Sequence, residues 1–96
     1  MAKVLAHETI TVSSVVKGLS PTIYDPPEGI PASYAIIHAE NGPMRYLVDG
    51  QNPTTLQGAL LEDGDIVELP SIYHIKNFKV IKSESDAGKL TVTYEN

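Results

Sequence analysis

The apolar runs in this chain are short and alternating, and a Gly, Pro or Asn signal cuts them every 8–14 residues. A period of two places one face of an extended strand in a core and the other in water. No Gly- and Pro-free stretch of about eleven residues keeps the i, i+3, i+4, i+7 spacing of an amphipathic helix. A single turn around residues 55–61 is the most the pattern allows. The expected fold is therefore all-β.

The strands read as follows. Residues 9–16 are β-branched and alternating. Residues 33–40 form a second run, followed by Asn41-Gly42 and a third run over 43–48. Asn-Gly between two extended runs is a hairpin signal, because both positions tolerate positive φ. Residues 62–65 form a polar turn with Gly64 at the left-handed position. Residues 66–69 make a strand ended by Pro70, and residues 77–82 and 89–94 supply two more, joined by a polar turn over 83–88. Six or seven short antiparallel strands make one β-sandwich domain over residues 1–96, immunoglobulin-like or jelly-roll-like. Strand order is not readable from pattern. Residues 1–6 are expected as a flexible arm. Residues 17–32, with Gly18, Pro21, Pro26, Pro27, Gly29 and Pro31, are expected as a loop. Ile10/Val12, Ala35/Ile37, Tyr46/Val48, Phe78/Val80 and Leu90/Val92/Tyr94 are the expected inner faces.

Composition narrows function. At 96 residues and 42% hydrophobic, the chain can bury one small core. It has no Cys, which excludes a disulfide framework, Cys-based zinc sites and a Cys nucleophile. A net charge of −5 with only seven Lys and Arg argues against a nucleic-acid partner. No apolar run approaches the ~18 residues of a membrane helix, and the N-terminus lacks a signal-peptide core. No membrane partner is expected, and the protein is expected to be made in the cytoplasm.

No constellation points to catalysis, a cofactor or a metal. His7, His38 and His74 show no metal-ligand spacing. No Gly-x-Ser-x-Gly elbow and no Gly-rich phosphate loop occurs. Glu62-Asp63-Gly64-Asp65 lacks a calcium-loop register and reads as a turn, as does Glu84-Ser85-Asp86 at a hairpin tip. The expectation is a non-enzymatic protein. Ile23-Tyr24 and Ile72-Tyr73 lie in segments that read as loops. Exposed aromatics of that kind mark contact surfaces, and on that reading these four residues are the candidate interface; the equal alternative is that they cap the ends of the sandwich.

The stretch Tyr46-Leu47-Val48-Asp49-Gly50-Gln51-Asn52-Pro53-Thr54 resembles the Tyr-x-x-Asp-Gly-x-x-Pro-Thr corner of small β-sandwich modules such as the C-terminal domains of chitobiase-like glycosidases. That likeness implies a structural role for Asp49, Gly50, Pro53 and Thr54: Asp-Gly turns the chain and Pro-Thr sets an extended exit.

A second resemblance runs from Ala35 to Tyr94. The corner is followed by Gly58-x-Leu60-Leu61-x-x-Gly64-Asp65, by Asn77-Phe78-x-x-Ile81 and by Ala87-x-x-Leu90-x-Val92-x-Tyr94, a pattern similar to small virion proteins of tailed bacteriophages. The chain departs from it at residues 20–31 and 72–75. The likeness implies a capsid decoration or cement protein on the virion surface. Its partners would be the major capsid protein and further copies of itself in a homo-oligomer. The alternative is a carbohydrate- or protein-binding module of a tail or appendage. On the decoration reading, alanine at Tyr24 or Tyr73 would leave the isolated fold intact and weaken capsid attachment.

Overall fold

The structure is a computed structural model that describes residues 3–83 and 88–96. It is all-β, with two antiparallel sheets of four strands each. The strands are β1 (Val4–Val12), β2 (Lys17–Gly18), β3 (Tyr34–Asn41), β4 (Met44–Leu47), β5 (Ala59–Leu61), β6 (Ile66–Leu69), β7 (Lys79–Lys82) and β8 (Gly88–Glu95). Two short helices interrupt them, α1 (Pro21–Tyr24) and α2 (Ile72–Asn77).

One sheet has the order β1-β8-β3-β6 and the other β2-β7-β4-β5. The pairs β1/β8, β2/β7, β3/β6 and β4/β5 are those of one long antiparallel hairpin, with first strand against last and innermost strands together. The pairings β3/β8 and β4/β7 then roll that hairpin into two sheets. This is the strand order of a jelly roll, with the nine-residue β1 and the four-residue β6 at the edges of the first sheet.

The Asn41-Gly42 hairpin does not form. Both residues take positive φ, 63° and 105°, as the dipeptide favours. However, β3 belongs to the first sheet and β4 to the second, so the two residues make a corner between sheets. Pro43 follows through a cis bond. The carbonyl of Pro43 accepts from Ser83 N–H at 3.0 Å, beside the end of β7. Local turn chemistry was legible here, but the partner of β3 is set by long-range pairing with β8 and β6.

The turn at residues 62–65 also carries the chain between sheets, with Gly64 at φ 89°. Asp65 Oδ2 accepts from Glu62 N–H and Asp63 Oδ1 from Asn41 N–H, at 2.8 and 2.9 Å. The carboxylates thus satisfy backbone donors. The tip expected at Glu84-Ser85-Asp86 lies outside the described residues.

Four further expectations need correction. Val4, Leu5 and Ala6, expected in a flexible arm, open β1, and Lys3 exchanges two backbone hydrogen bonds with Asn96. No helical turn spans residues 55–61, because β5 already starts at Ala59 against Tyr46. Residues 71–75, expected as a loop, and Asn77, expected to open a strand, fall in α2 and its cap: Ser71 accepts from His74 N–H as the N-cap, and Ile75 is buried. The loop at 17–32 holds β2 and the single turn α1, whose first residue is Pro21.

The core lies between the sheets. Ile10 and Val12 face inward from β1, Ala35, Ile37 and Ala39 from β3, and Leu90, Val92 and Tyr94 from β8. Met44, Leu61, Phe78 and Val80 meet them from the second sheet and its approach. The ring of Tyr46 stacks on Phe78 at 5.5 Å, and Val48 is half-buried beside the same core. Among the described residues no charged side chain is buried.

Candidate interaction surface

The corner at residues 49–58 is built as an outward-facing loop. Gly50 takes φ 83°, and its N–H donates to the carbonyl of Asn77 at 3.3 Å. A Cβ at Gly50 would sit 3.2 Å from Asn77 Oδ1, so both conformation and space favour glycine. Asp49 Oδ1 accepts from Gln51 N–H at 3.1 Å, the bond of an Asx turn. Pro53 is fully buried and anchors the loop. Thr54 Oγ1 accepts from the N–H groups of Leu56 and Gln57 at 3.2 and 2.9 Å.

Arg45 clamps this loop from β4. Its Nε donates to Thr55 O at 3.2 Å and its Nη1 to Gly58 O at 3.0 Å. The result holds Leu56 out, 85% exposed, above an open depression lined by Pro43, Arg45, Leu56, Leu60 and Glu62. Leu56 escaped notice in the sequence because a lone Leu among Thr, Gln and Gly carries no periodic signal.

The four candidate interface residues separate. Tyr73 is 72% exposed on α2. Ile72 and Ile23 are half-buried and packed against the core. Tyr24 is only 6% exposed, which overturns its assignment as a contact residue. The reason is geometric. A single helical turn after Pro21 points its ring inward, 6.2 Å from the ring of Tyr94, and its carbonyl accepts from Ala32 N–H at 2.7 Å. The alanine substitution at Tyr24 is therefore a core mutation. The 72–77 helix also brings Ser71 Oγ to 2.7 Å from His74 Nδ1. That contact belongs to the cap of α2, where Ser71 already accepts from His74 N–H.

The loop carrying Tyr24 is tied down by Glu8. Its carboxylate accepts from Ser20 N–H at 3.2 Å, from the Ser20 hydroxyl at 2.7 Å, and from the Tyr94 hydroxyl. Beside this knot an open groove runs between β1 and the loop, lined by Leu5, Ala6, Ile23, Pro26 and Ile30.

Burial first, and then the hydrogen bond to Glu8, push the Tyr94 phenol far above its ordinary value. Burial also raises Tyr24, with Asp25 and Glu8 adding to it. An unfolded tyrosine ionises near pH 10. Above that pH the folded chain holds a proton the unfolded chain has lost, so stability is complete below about pH 10 and falls above it. One such tyrosine contributes a slope of about 1.4 kcal/mol per pH unit. Urea unfolding between pH 9 and 11 should show this decline, and Tyr94→Phe should make it shallower by about that slope. An unchanged slope in Tyr94→Phe would place the proton elsewhere.

Among the described residues no three His, Asp or Glu side chains group as metal ligands, and no helix is long and apolar enough to cross a membrane. What the fold and surface define is a small jelly roll with satisfied turns and aliphatic side chains displayed on its outside. Set against protein-family models, curated proteins and solved structures, the chain matches none.

Proposed function

We propose that this chain is a non-enzymatic structural protein of a tailed-bacteriophage virion, a capsid decoration protein that binds the assembled shell through the major capsid protein. The strand order carries the proposal: an eight-stranded jelly roll is an architecture of viral capsid domains. This is support by analogy of fold, since one architecture hosts many functions. It joins the likeness of residues 35–94 to small virion proteins.

The surface adds a physical argument. Leu56, Leu60, Ile66 and Tyr73 are exposed on a scaffold whose loops are fixed by hydrogen bonds. Rigid display lowers the ordering cost of binding. Binding that favours the assembled shell stabilises it, and symmetric copies multiply weak contacts. Oligomeric assembly of the chain at capsid symmetry axes belongs to the same proposal.

The jelly roll is also an architecture of lectins, which keeps the carbohydrate-binding alternative in view. Sugar stacking needs exposed aromatic rings on one face. Tyr24, Phe78 and Tyr94 are buried and Tyr46 stacks on Phe78, which leaves Tyr73 as the one strongly exposed ring among the described residues, too few for a stacking face, and favours decoration. Quantitative mass analysis of native particles tests the choice. Decoration predicts on the order of hundreds of copies per particle, set by shell symmetry. A few copies would indicate a tail or vertex component, and absence from the particle would overturn the proposal.

A further inference from the structure

Three dipeptides in this chain put Asn or Asp before a glycine: Asn41-Gly42, Asp49-Gly50 and Asp63-Gly64. Glycine has no Cβ to hinder its own nitrogen from closing on the preceding side chain. The fold treats the three differently. Gly50 N–H donates to Asn77 O at 3.3 Å, and Gly64 N–H to Ala39 O at 2.8 Å. The carboxylates before them are engaged too: Asp49 Oδ1 accepts from Gln51 N–H and Asp63 Oδ1 from Asn41 N–H. Gly42 N–H meets no acceptor among the described residues, and the exposed Asn41 side chain makes no hydrogen bond there. The other asparagines are shielded. Asn52 precedes Pro53, whose nitrogen carries no hydrogen. Asn77 precedes the bulky, buried Phe78, and Asn96 Nδ2 donates to Pro31 O at 2.6 Å.

We infer that Asn41-Gly42 is a site of spontaneous modification, at which the asparagine amide gives way to aspartate and isoaspartate in the folded chain. Gly42 N, on losing its proton, attacks Asn41 Cγ. The N–Cγ bond forms and the Cγ–Nδ2 bond breaks, and Nδ2 leaves as ammonia with the proton that Gly42 gave up. The product is a cyclic imide, which water then opens. Cleavage at Cγ leaves aspartate at position 41. Cleavage at the main-chain carbonyl leaves isoaspartate, with the backbone rerouted through the side chain. One water is consumed and one ammonia released, and nothing is oxidised. Either product puts a new carboxylate close to Asp63, whose Oδ1 holds Asn41 N–H at 2.9 Å, and like charges repel. Isoaspartate also lengthens the backbone by one carbon where β3 crosses to β4 in the other sheet. The reaction needs no partner, so it stands apart from what the chain attaches to.

The test is incubation of the folded full chain in mildly alkaline buffer, read by peptide mass analysis and by isoaspartate-specific methylation. Alkali favours the deprotonated nitrogen that attacks. Asn41 is expected to convert at least about tenfold faster than Asn52, Asn77 or Asn96, each tenfold being about 1.4 kcal/mol of barrier. Asp49 and Asp63 should gain no isoaspartate over the same interval. The converted chain should melt several degrees below the unconverted one. Asn41→Gly keeps a residue that accepts φ 63° and removes the amide, so its melt should not drift during incubation. An amide intact at position 41 in the folded chain overturns the site, even where urea-unfolded chain converts. Equal conversion at Asn77, or isoaspartate at Asp49 or Asp63 at the rate of Asn41, also overturns it, since a free glycine N–H would then not be what selects the site. A converted chain that melts with the unconverted one would overturn the loosening of the corner.

Discussion

Alanine at Tyr24 is expected to lower the unfolding free energy by about 3–5 kcal/mol, the usual cost of deleting a buried aromatic ring. The ring is nearly inaccessible and packs on Tyr94. Its loss opens a cavity near Ser20, where Glu8 ties the 17–32 loop to the sheet. Small domains hold only about 5–15 kcal/mol in total, so a large share of the stability goes with that ring. Urea denaturation measures it. Tyr73→Ala is the matched control: at 72% exposure it should shift stability by no more than about 0.5 kcal/mol. Equal effects from the two would contradict the inward placement of Tyr24.

Gly88→Ala should cost about 1–3 kcal/mol through overpacking. A Cβ at Gly88 would stand 2.3 Å from Met44 Sδ and 2.7 Å from Met44 Cγ. Met44 is fully buried on the second sheet, and Gly88 begins β8 on the first, so the sheets pinch together here. Met is flexible, but a buried Met in a filled core has little room to yield. Met44→Ala alone removes packing and should cost about 2–5 kcal/mol. In the double variant the new methyl enters space that Met44 vacated. The pair should therefore be less destabilised than the sum of the singles, by about 1–2 kcal/mol within the range seen for touching residues. Simple additivity would show that the two side chains do not compete for one volume.

Tyr24 and α2 also show where sequence reasoning stops. Tyr24 sits among Pro and Gly, the composition of a surface loop, and nothing local reports that one helical turn points its ring into the core. The six residues of α2 are too few for a helical period to emerge. Ser71 before Ile72 was the available signal, a capping residue without the Glu or Gln partner that would strengthen it. At the 49–58 corner the Asp49-Gly50 turn was legible, whereas Pro53-Thr54, expected to set an extended exit, leads instead into a turn in which Thr54 and Gln57 exchange backbone hydrogen bonds and the Thr54 hydroxyl accepts from Leu56 and Gln57.

Alternation alone determined that this chain is built of strands and which side of each strand is apolar, because side-chain direction in an extended chain follows from residue parity. Ile10, Ile37, Val80 and Val92 are buried as that parity requires. Only the tertiary structure decided which strand lies beside which. Backbone hydrogen bonds are chemically alike at every position, so a strand carries no label for its neighbour, and the choice is made by how the whole chain fills one core. That is why Asn41-Gly42 kept its local geometry yet joined two sheets.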